Sequence, residues 1–144
     1  MAFTGNYTCN VFKTGLMNGD YDFSVDTFKI ALYTNAATLD ANTVSYTTAG
    51  ETSGGTYVAG GLQLAVTQTP TIGNQTGPTA VAYISFANAI WFGQLSARGA
   101  LIYKEGSGNP AVCVLDFGSV KTSTTSFVVQ FPASTSTSAI IRLV

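Results

Sequence analysis

The sequence predicts an all-β fold, an antiparallel sandwich of jelly-roll-like type with one short N-terminal helix. Four apolar, β-branched-rich runs in the last third of the chain are the main observation: Ala97–Tyr103, Ala111–Phe117, Phe127–Phe131 and Ala139–Val144. Turn residues separate the runs, which is typical of strands buried on at least one face. Four such runs without helical periodicity between them predict an antiparallel β domain. The length of 144 residues predicts one domain over residues 1–144, with residues 1–19 as its helical segment.

The second observation is the low charge of the chain. Charged residues make up 9% of it, and six cations nearly balance seven anions. Copies of a protein with so little self-repulsion approach one another at low cost, which fits a role in an assembly. An ordinary Thr-rich extracellular β domain has a similar composition. Because the cations stand singly along the sequence, we expect no nucleic-acid binding.

The hydropathy pattern disfavours membrane proteins and secreted proteins. No apolar run approaches the length of a membrane span, so we expect no membrane partner. The N-terminus lacks the basic-then-apolar pattern of a signal peptide, and we expect synthesis in the cytoplasm. In that reducing compartment Cys9 and Cys113, which both lie in apolar surroundings, are predicted to be buried thiols and not a disulfide.

The first element is a short amphipathic helix between Tyr7 and Met17, where apolar residues fall near helical spacing. Thr8 is the predicted N-cap, and Asn18-Gly19 is the predicted end. Gly15 weakens the helix by about 1 kcal/mol relative to alanine. The apolar face fits two interpretations, a plug at one open end of the β domain or an arm that docks on a neighbouring subunit.

After a turn over Asp20–Asp26, Thr27–Thr34 alternates as a strand with Phe28, Ile30 and Leu32 on its inward face. Lys29 points to the other side.

A long polar connection, Asn35–Ser53, follows the strand, with Leu39, Val44 and Tyr46 as its expected anchors. Connections of this length usually bind something or carry irregular local structure.

The middle of the chain predicts a glycine-flanked bend and further strands. Gly54–Gly61 lacks the Gly-Lys-Ser/Thr ending of a phosphate loop and is interpreted as a bend or bulge at a sheet edge. The segments that follow are a weak strand, a tip loop, a strand and a compact apolar cluster: Leu62–Thr69, Thr71–Pro78, Val81–Phe86 and Ala89–Phe92. Within the last of these, Trp91 is the predicted core anchor.

Catalytic chemistry has few candidate residues. The chain contains no histidine, the usual general base near neutral pH and the commonest metal ligand. Asp20, Asp22 and Asp26 cluster at the first turn, but a calcium loop would add a bidentate Glu and a central Gly. Asx-type turn hydrogen bonds account for the three aspartates more simply. We therefore expect no enzyme, no metal and no cofactor.

Asp116 is unusual because it lies inside an otherwise apolar predicted strand. A buried carboxylate must be paired, and Arg98 is the cation in a neighbouring strand pattern. The sequence predicts a structural Arg98–Asp116 pair across adjacent strands. The alternative is that each side chain faces solvent separately.

Several segments together form a recognisable pattern. They are Phe28–Thr34 followed by Ala37–Asp40, Tyr57-x-x-Gly60-Gly61-x-x-Leu64, Arg98–Tyr103, Val114–Gly118 and Val129–Pro132. With these motifs the chain resembles, over nearly its whole length, small structural proteins of tailed bacteriophages. The motifs are framework residues of a β fold and not a catalytic signature.

The resemblance implies a virion component made in the host bacterial cytoplasm. The role it favours is a capsid decoration or cement protein, with the major capsid protein and other copies of itself as partners. A tail or head-to-tail connector component is a close alternative. From another class, a carbohydrate-binding sandwich could use Tyr46, Tyr57 and the Thr71–Pro78 loop.

Loops and chain ends are where a sandwich usually carries its contacts. The predicted contact regions are Ala2–Met17, Asn35–Ser53 and Thr71–Pro78. The predicted interface residues are the large apolar and aromatic side chains Phe3, Tyr7, Phe12, Leu39, Tyr46 and Tyr57.

Overall fold

Two antiparallel β layers enclose the hydrophobic core. The computed structural model describes residues 3–73 and 80–143. The elements in chain order are β1 (Tyr7–Thr8), α1 (Asn10–Asn18), β2 (Phe28–Tyr33), β3 (Leu62–Leu64), β4 (Val66–Gly73), β5 (Val81–Phe86), β6 (Ala89–Phe92), β7 (Leu95–Lys104), β8 (Ala111–Ser123), β9 (Ser126–Val129) and β10 (Ile141–Leu143). The prediction of an all-β antiparallel sandwich with one short N-terminal helix is confirmed.

The first layer is a five-stranded sheet in the order β1-β8-β7-β2-β3. Its centre is the β2–β7 pair, in register from Phe28 opposite Lys104 to Tyr33 opposite Gly99. Because β1 pairs with β8, β2 with β7 and β4 with β5, the pairings are nested, as in a long hairpin that has been rolled up.

The second layer is built from β4, β5, β6, β9 and β10. β5 and β6 follow each other after two residues, and β10 pairs with β5 while β9 pairs with β6. The two pairings continue each other along the chain: residue numbers fall through β6 and β5 while they rise through β9 and β10, from Phe92 opposite Ser126 to Ala82 opposite Leu143. β3 and β4, separated only by Ala65, pass the chain from the first layer to the second.

Both faces of β2 are covered. Phe28, on one face, packs against Phe86 of the second layer with ring centroids 6.2 Å apart. Tyr33, on the opposite face, donates its hydroxyl to the carbonyl of Thr47 at 2.7 Å. The long connection after β2 lies over this outer face. The strand therefore carries the buried residues Ala31 and Tyr33 there, beside the half-buried Lys29, and is largely apolar on both sides.

Helix α1 and the turn after it close one end of the sandwich. Phe12 packs edge-on against Tyr21 and Phe23, with ring centroids 4.9 and 6.0 Å apart. Phe23 in turn stacks on Phe28 of the first layer and contacts Phe86 of the second. Of the two interpretations of the apolar helix face, the structure therefore shows the plug on the chain's own β domain.

The ends of α1 agree only in part with the prediction. Gly19 ends the helix in the left-handed conformation, at φ 80°. The N-cap is Cys9 and not Thr8, because Thr8 belongs to β1, where it lies opposite Cys113. Packing explains why position 15 is a glycine, because a Cβ there would lie 2.5 Å from the Tyr21 ring.

Several predicted boundaries are corrected by pairings that local sequence does not show. β8 continues to Ser123 through the predicted Gly118–Thr125 turn, because Lys121–Ser123 pair with Leu95–Ala97. In the predicted strand Ala139–Val144 the structure shows only Ile141–Leu143, and Val144 lies outside the described residues. Of the predicted Thr71–Pro78 tip loop, residues 71–73 belong to β4 and residues 74–78 lie outside the described residues.

Candidate interaction surface

The β6–β9 ribbon has a buried inner face. Ala89, Trp91, Phe127 and Val129 point inward and are all buried. Trp91 contacts Phe127 edge-on, at 6.4 Å between ring centroids, and also packs against Tyr57. The structure thus places Trp91 in the core, as predicted for an anchor.

The other face of the same ribbon is apolar and open. Ile90, Phe92 and Val128 are the large side chains of this outward face, and they are 43%, 59% and 48% exposed. The fourth residue of the face is the exposed Ser126, which lies opposite Phe92. Ile90 and Val128 lie directly opposite each other in the ladder, and Phe92 follows two residues after Ile90 on the same side. A solvent-facing sheet normally alternates apolar residues on its buried face with polar residues on its exposed face, so an exposed face with three large apolar residues and one serine is unusually apolar.

The residues next to the outward face in the sequence are uncharged, but Lys121 lines the hollow that also borders Ser126 and Val128. Residues 86–97 and 122–141 contain no Asp, Glu, Lys or Arg. One edge of β6 is closed by the preceding loop, since Thr56 donates its N–H to the Phe92 carbonyl and Thr56 Oγ1 accepts the Phe92 N–H. The outward face is therefore a largely apolar patch with one lysine at its border, the kind of surface that marks a protein-protein contact.

A carboxylate organises the long connection. Glu51 accepts hydrogen bonds from Tyr57 Oη at 2.6 Å, Tyr46 Oη at 2.7 Å and the Gly60 N–H at 2.8 Å. Burial and the hydrogen bond to Glu51 raise the pKa of Tyr57 and Tyr46 well above the usual range of a phenol. These four residues, the Glu51 cluster, tie the second half of the connection to the glycine-flanked loop that follows it.

The cluster is also fixed to the first sheet. Tyr57 Oη accepts the N–H of Leu32 at 2.9 Å, and the Gly60 carbonyl accepts the hydroxyl of Tyr103 at 2.6 Å. Gly61 lies so close to the sheet that a Cβ would stand 1.9 Å from the Ile30 carbonyl oxygen, and its φ of 80° also favours glycine. The Tyr57-x-x-Gly60-Gly61 motif therefore has a structural role in seating this loop.

Arg98 and Asp116 form an ion pair between β7 and β8. The Arg98 hydrogen bond, followed by the Gly118 N–H, holds the pKa of Asp116 below its usual range. The pair also holds the N-terminal segment. The Asn6 side chain accepts the Asp116 N–H at 2.6 Å, and the Arg98 guanidinium lies 5.5 Å from the centroid of the Phe3 ring.

A wide bulge places this pair. Between the Ala97–Lys121 and Gly99–Asp116 pairings, one residue of β7 faces the four residues 117–120 of β8. Gly118, at φ 81°, lets β8 leave and rejoin the ladder. Register at a bulge cannot be derived from hydrophobic alternation, so the sequence predicted the partners but not this geometry.

The predicted interface residues divide into two groups. Phe3, Phe12 and Leu39 are 2%, 2% and 3% exposed, so their predicted interface role is wrong: they pack inside this chain's own core. Tyr7, Tyr46 and Tyr57 are half-buried against the core. Tyr46 and Tyr57 belong to the Glu51 cluster, and Tyr7 donates to or accepts from Thr4 Oγ1 at 2.7 Å.

Val44, an expected anchor of the long connection, is exposed, so that expectation is wrong for this residue. The residues of the outward face were not predicted as interface residues. The available signal was the run Ala89–Phe92 beside Phe127–Val129, where both alternating faces are apolar.

Both cysteines are free and buried, as predicted. Burial, with the nearby Asp40 carboxylate, raises the pKa of Cys9 to about 11. Burial raises the pKa of Cys113 to about 12. Thiols protonated at neutral pH are poor nucleophiles, so their contribution here is packing.

The aspartates of the first turn bond to the backbone and to a lysine. Asp22 Oδ1 accepts the Ser24 N–H at 2.8 Å, an Asx-type turn, and Asp26 Oδ2 accepts the Asp22 N–H at 2.7 Å. Lys104 Nζ lies 3.0 Å from Asp26 Oδ2. Within residues 3–73 and 80–143, no group of three or more Cys, Asp or Glu side chains is placed to hold a metal ion.

Among the described helices, none is long and apolar enough to cross a membrane. Comparison with known protein families, with curated proteins and with solved structures finds no match to this chain.

Proposed function

We propose that this protein is a structural component of a tailed-bacteriophage virion, a capsid decoration or cement protein that binds the shell of major capsid protein. The observation that carries the proposal is the open, largely apolar outward face of the β6–β9 ribbon. A face of this kind gains free energy when it is covered by another apolar surface.

The rest of the molecule supports a mechanical role. The long connection and the N-terminal segment, which could have been mobile arms, are fixed by the Glu51 cluster and the Arg98–Asp116 pair. A rigid scaffold that presents an apolar face loses little conformational entropy on binding. A protein that binds only the assembled shell stabilises that shell by mass action.

The test is co-sedimentation of the purified protein with particles assembled without it. Phe92→Ser removes the largest exposed side chain of the outward face, which is 59% exposed. Burial of that surface contributes about 1–2 kcal/mol, so the variant is expected to bind roughly ten-fold more weakly. The unfolding midpoint of the free variant should stay close to that of the wild type, because the ring lies outside the core.

Val25→Ser is the matched control, since Val25 is an exposed apolar residue in the turn before β2. It should bind the particles as the wild type does. Equal binding by the wild type and Phe92→Ser, or no binding of the wild type, would contradict the proposal.

A further inference from the structure

A second apolar surface lies between α1 and β10, at the end of the second layer that does not contain the β6–β9 ribbon. Here an open groove of about 710 Å³ runs along the helix, and a smaller apolar recess continues it. The lining is mostly apolar and is shared by the helix, β10 and the residues before β10: Phe12, Leu16, Met17, Ala139, Ile140, Ile141 and Leu143. This surface, the α1–β10 groove, is distinct from the outward face of the ribbon.

The floor of the groove is fixed, and its rim is exposed. Phe12 is buried in the core, whereas Met17 is 91% exposed and Leu143 is 55% exposed. Isolated exposed apolar residues are ordinary, but here two of them flank a continuous apolar recess. The recess is therefore formed already and needs no rearrangement to accept a ligand.

The charges at the rim are both positive. Lys13 and Arg142 line the groove, and none of the described residues that line it is acidic. Three of the chain's six cations form ion pairs within the described residues, namely Lys29, Arg98 and Lys104. Lys13 and Arg142 are two of the other three. Lys13 Nζ donates to Asn10 Oδ1 at 3.3 Å, and neither Lys13 nor Arg142 forms an ion pair in the described residues. Two cations without a counter-ion favour an acidic ligand at this position.

The unpaired edge of β10 favours an extended peptide as the ligand. β10 is the end strand of its sheet, so one of its edges pairs with no strand in the described residues. Ile141 and Leu143 alternate with Arg142 along it. A peptide strand added to that edge would place alternate side chains against the apolar recess and the remaining ones on the face of Arg142.

We infer that the α1–β10 groove binds an extended peptide segment in which apolar and acidic residues alternate, supplied by a partner protein. Main-chain hydrogen bonds to β10 give affinity, the recess takes the apolar side chains, and Arg142 and Lys13 take the carboxylates. This inference does not depend on the outward face of the ribbon or on what the partner assembles into.

The experiment uses fluorescence anisotropy with two labelled eight-residue peptides and the whole protein. Glutamate alternates with valine in the first peptide, and lysine alternates with valine in the second. We expect the acidic peptide to bind at least ten-fold more tightly than the basic one, with an affinity that falls as salt is raised.

Charge reversal gives the decisive comparison. The double variant Lys13→Glu with Arg142→Glu should lose at least ten-fold affinity for the acidic peptide and gain affinity for the basic one. The single variants Lys13→Glu and Arg142→Glu should each give part of this change. Lys121→Glu is their charge-matched control, because Lys121 lies on β8, outside the groove, and has no ion pair in the described residues. It should leave both affinities nearly unchanged.

The apolar contribution is tested with Met17→Ser, which should weaken the acidic peptide several-fold without lowering the unfolding midpoint. Val25→Ser serves again as the exposed apolar control. Absence of acidic-peptide binding, equal binding of both peptides, or an equal effect of Lys121→Glu would overturn the inference. So would binding of dodecanoate in the groove without binding of the acidic peptide, or a dimer that Met17→Ser abolishes. None of these results bears on binding to particles through Phe92.

Discussion

The centre of the first sheet and the β6–β9 ribbon are built from similar residues but have opposite surroundings. Strands β2 and β7 are largely apolar, and apart from the half-buried Lys29, Ser96, Arg98 and Lys104 their side chains are buried on both faces. The ribbon is also apolar on both faces, yet only its inner face is covered. The difference lies in the long connection, which the Glu51 cluster fastens over the outer face of β2. No described segment of this chain covers the ribbon in that way.

The comparison teaches that apolar composition alone does not tell a covered strand from an uncovered one. An apolar face that the chain itself leaves open is a surface that another molecule can cover. In this protein the covered region accounts for stability, and the open region is where we place the function.

The largest expected effect separates the two regions directly. Ile102 in β7 is 0% exposed and Ile90 in β6 is 43% exposed. Ile102→Ala should cost about 2–5 kcal/mol of unfolding free energy, because it leaves a cavity in a packed core. Ile90→Ala should cost less than about 1 kcal/mol. Urea unfolding of both variants measures this difference, and similar losses at the two sites would end the distinction between the regions.

The next effect concerns what keeps the first sheet covered. Glu51→Gln replaces an oxygen that accepts hydrogen bonds with an amide that donates, so one of three donors loses its partner. We expect a loss of about 1–3 kcal/mol. Faster amide hydrogen exchange over residues 47–61 should accompany it.

Glu105→Gln is the control, since Glu105 is an exposed partner of Lys29 at 3.4 Å. Such exposed pairs contribute about 0–1 kcal/mol. A Glu51 variant as stable as the Glu105 variant would show that the cluster does not hold the connection.

A smaller effect is expected at the Arg98–Asp116 ion pair. Asp116→Asn leaves Arg98 without its counter-ion in a half-buried position. The variant should lower the unfolding free energy by about 1–2 kcal/mol at neutral pH. Thermal unfolding checks this, and an unchanged midpoint would mean that the pair contributes nothing to stability.

The same pair predicts a pH dependence. The pKa of Asp116 is lower in the folded protein than in an unfolded chain. Its stabilisation is therefore complete above the unfolded pKa of about 4, and it is lost as the pH falls through the lower folded value. The difference in stability between the wild type and Asp116→Asn should shrink below about pH 4. A constant difference down to pH 2 would contradict the assignment.

The sequence predicted the fold class and much of the first sheet because period-two alternation and turn residues are local signals. Phe28, Ile30 and Leu32 all lie on one face of β2, as their spacing predicts. The Arg98–Asp116 partners were also predictable, since a carboxylate in an apolar strand needs a cation.

What the sequence did not predict depends on distant contacts. The extension of β8 past Gly118 comes from pairing with Leu95–Ala97 across a bulge. The burial of Phe3 requires the bare backbone of Gly99, where a Cβ would lie 2.4 Å from the Phe3 ring. An apolar side chain near a chain end gives no local sign of whether it packs on its own domain or on a neighbour. For this reason the interface residues were partly misassigned.

The measurement that tests the central claim most directly is the copy number of this protein per purified virion, relative to the major capsid protein. Quantitative mass spectrometry of the particles supplies it. Because shell and tail positions repeat to very different extents under closed symmetry, the number identifies the location. A shell decoration protein predicts copies on the order of hundreds. About a dozen copies or fewer, or absence from the particle, would contradict the decoration role.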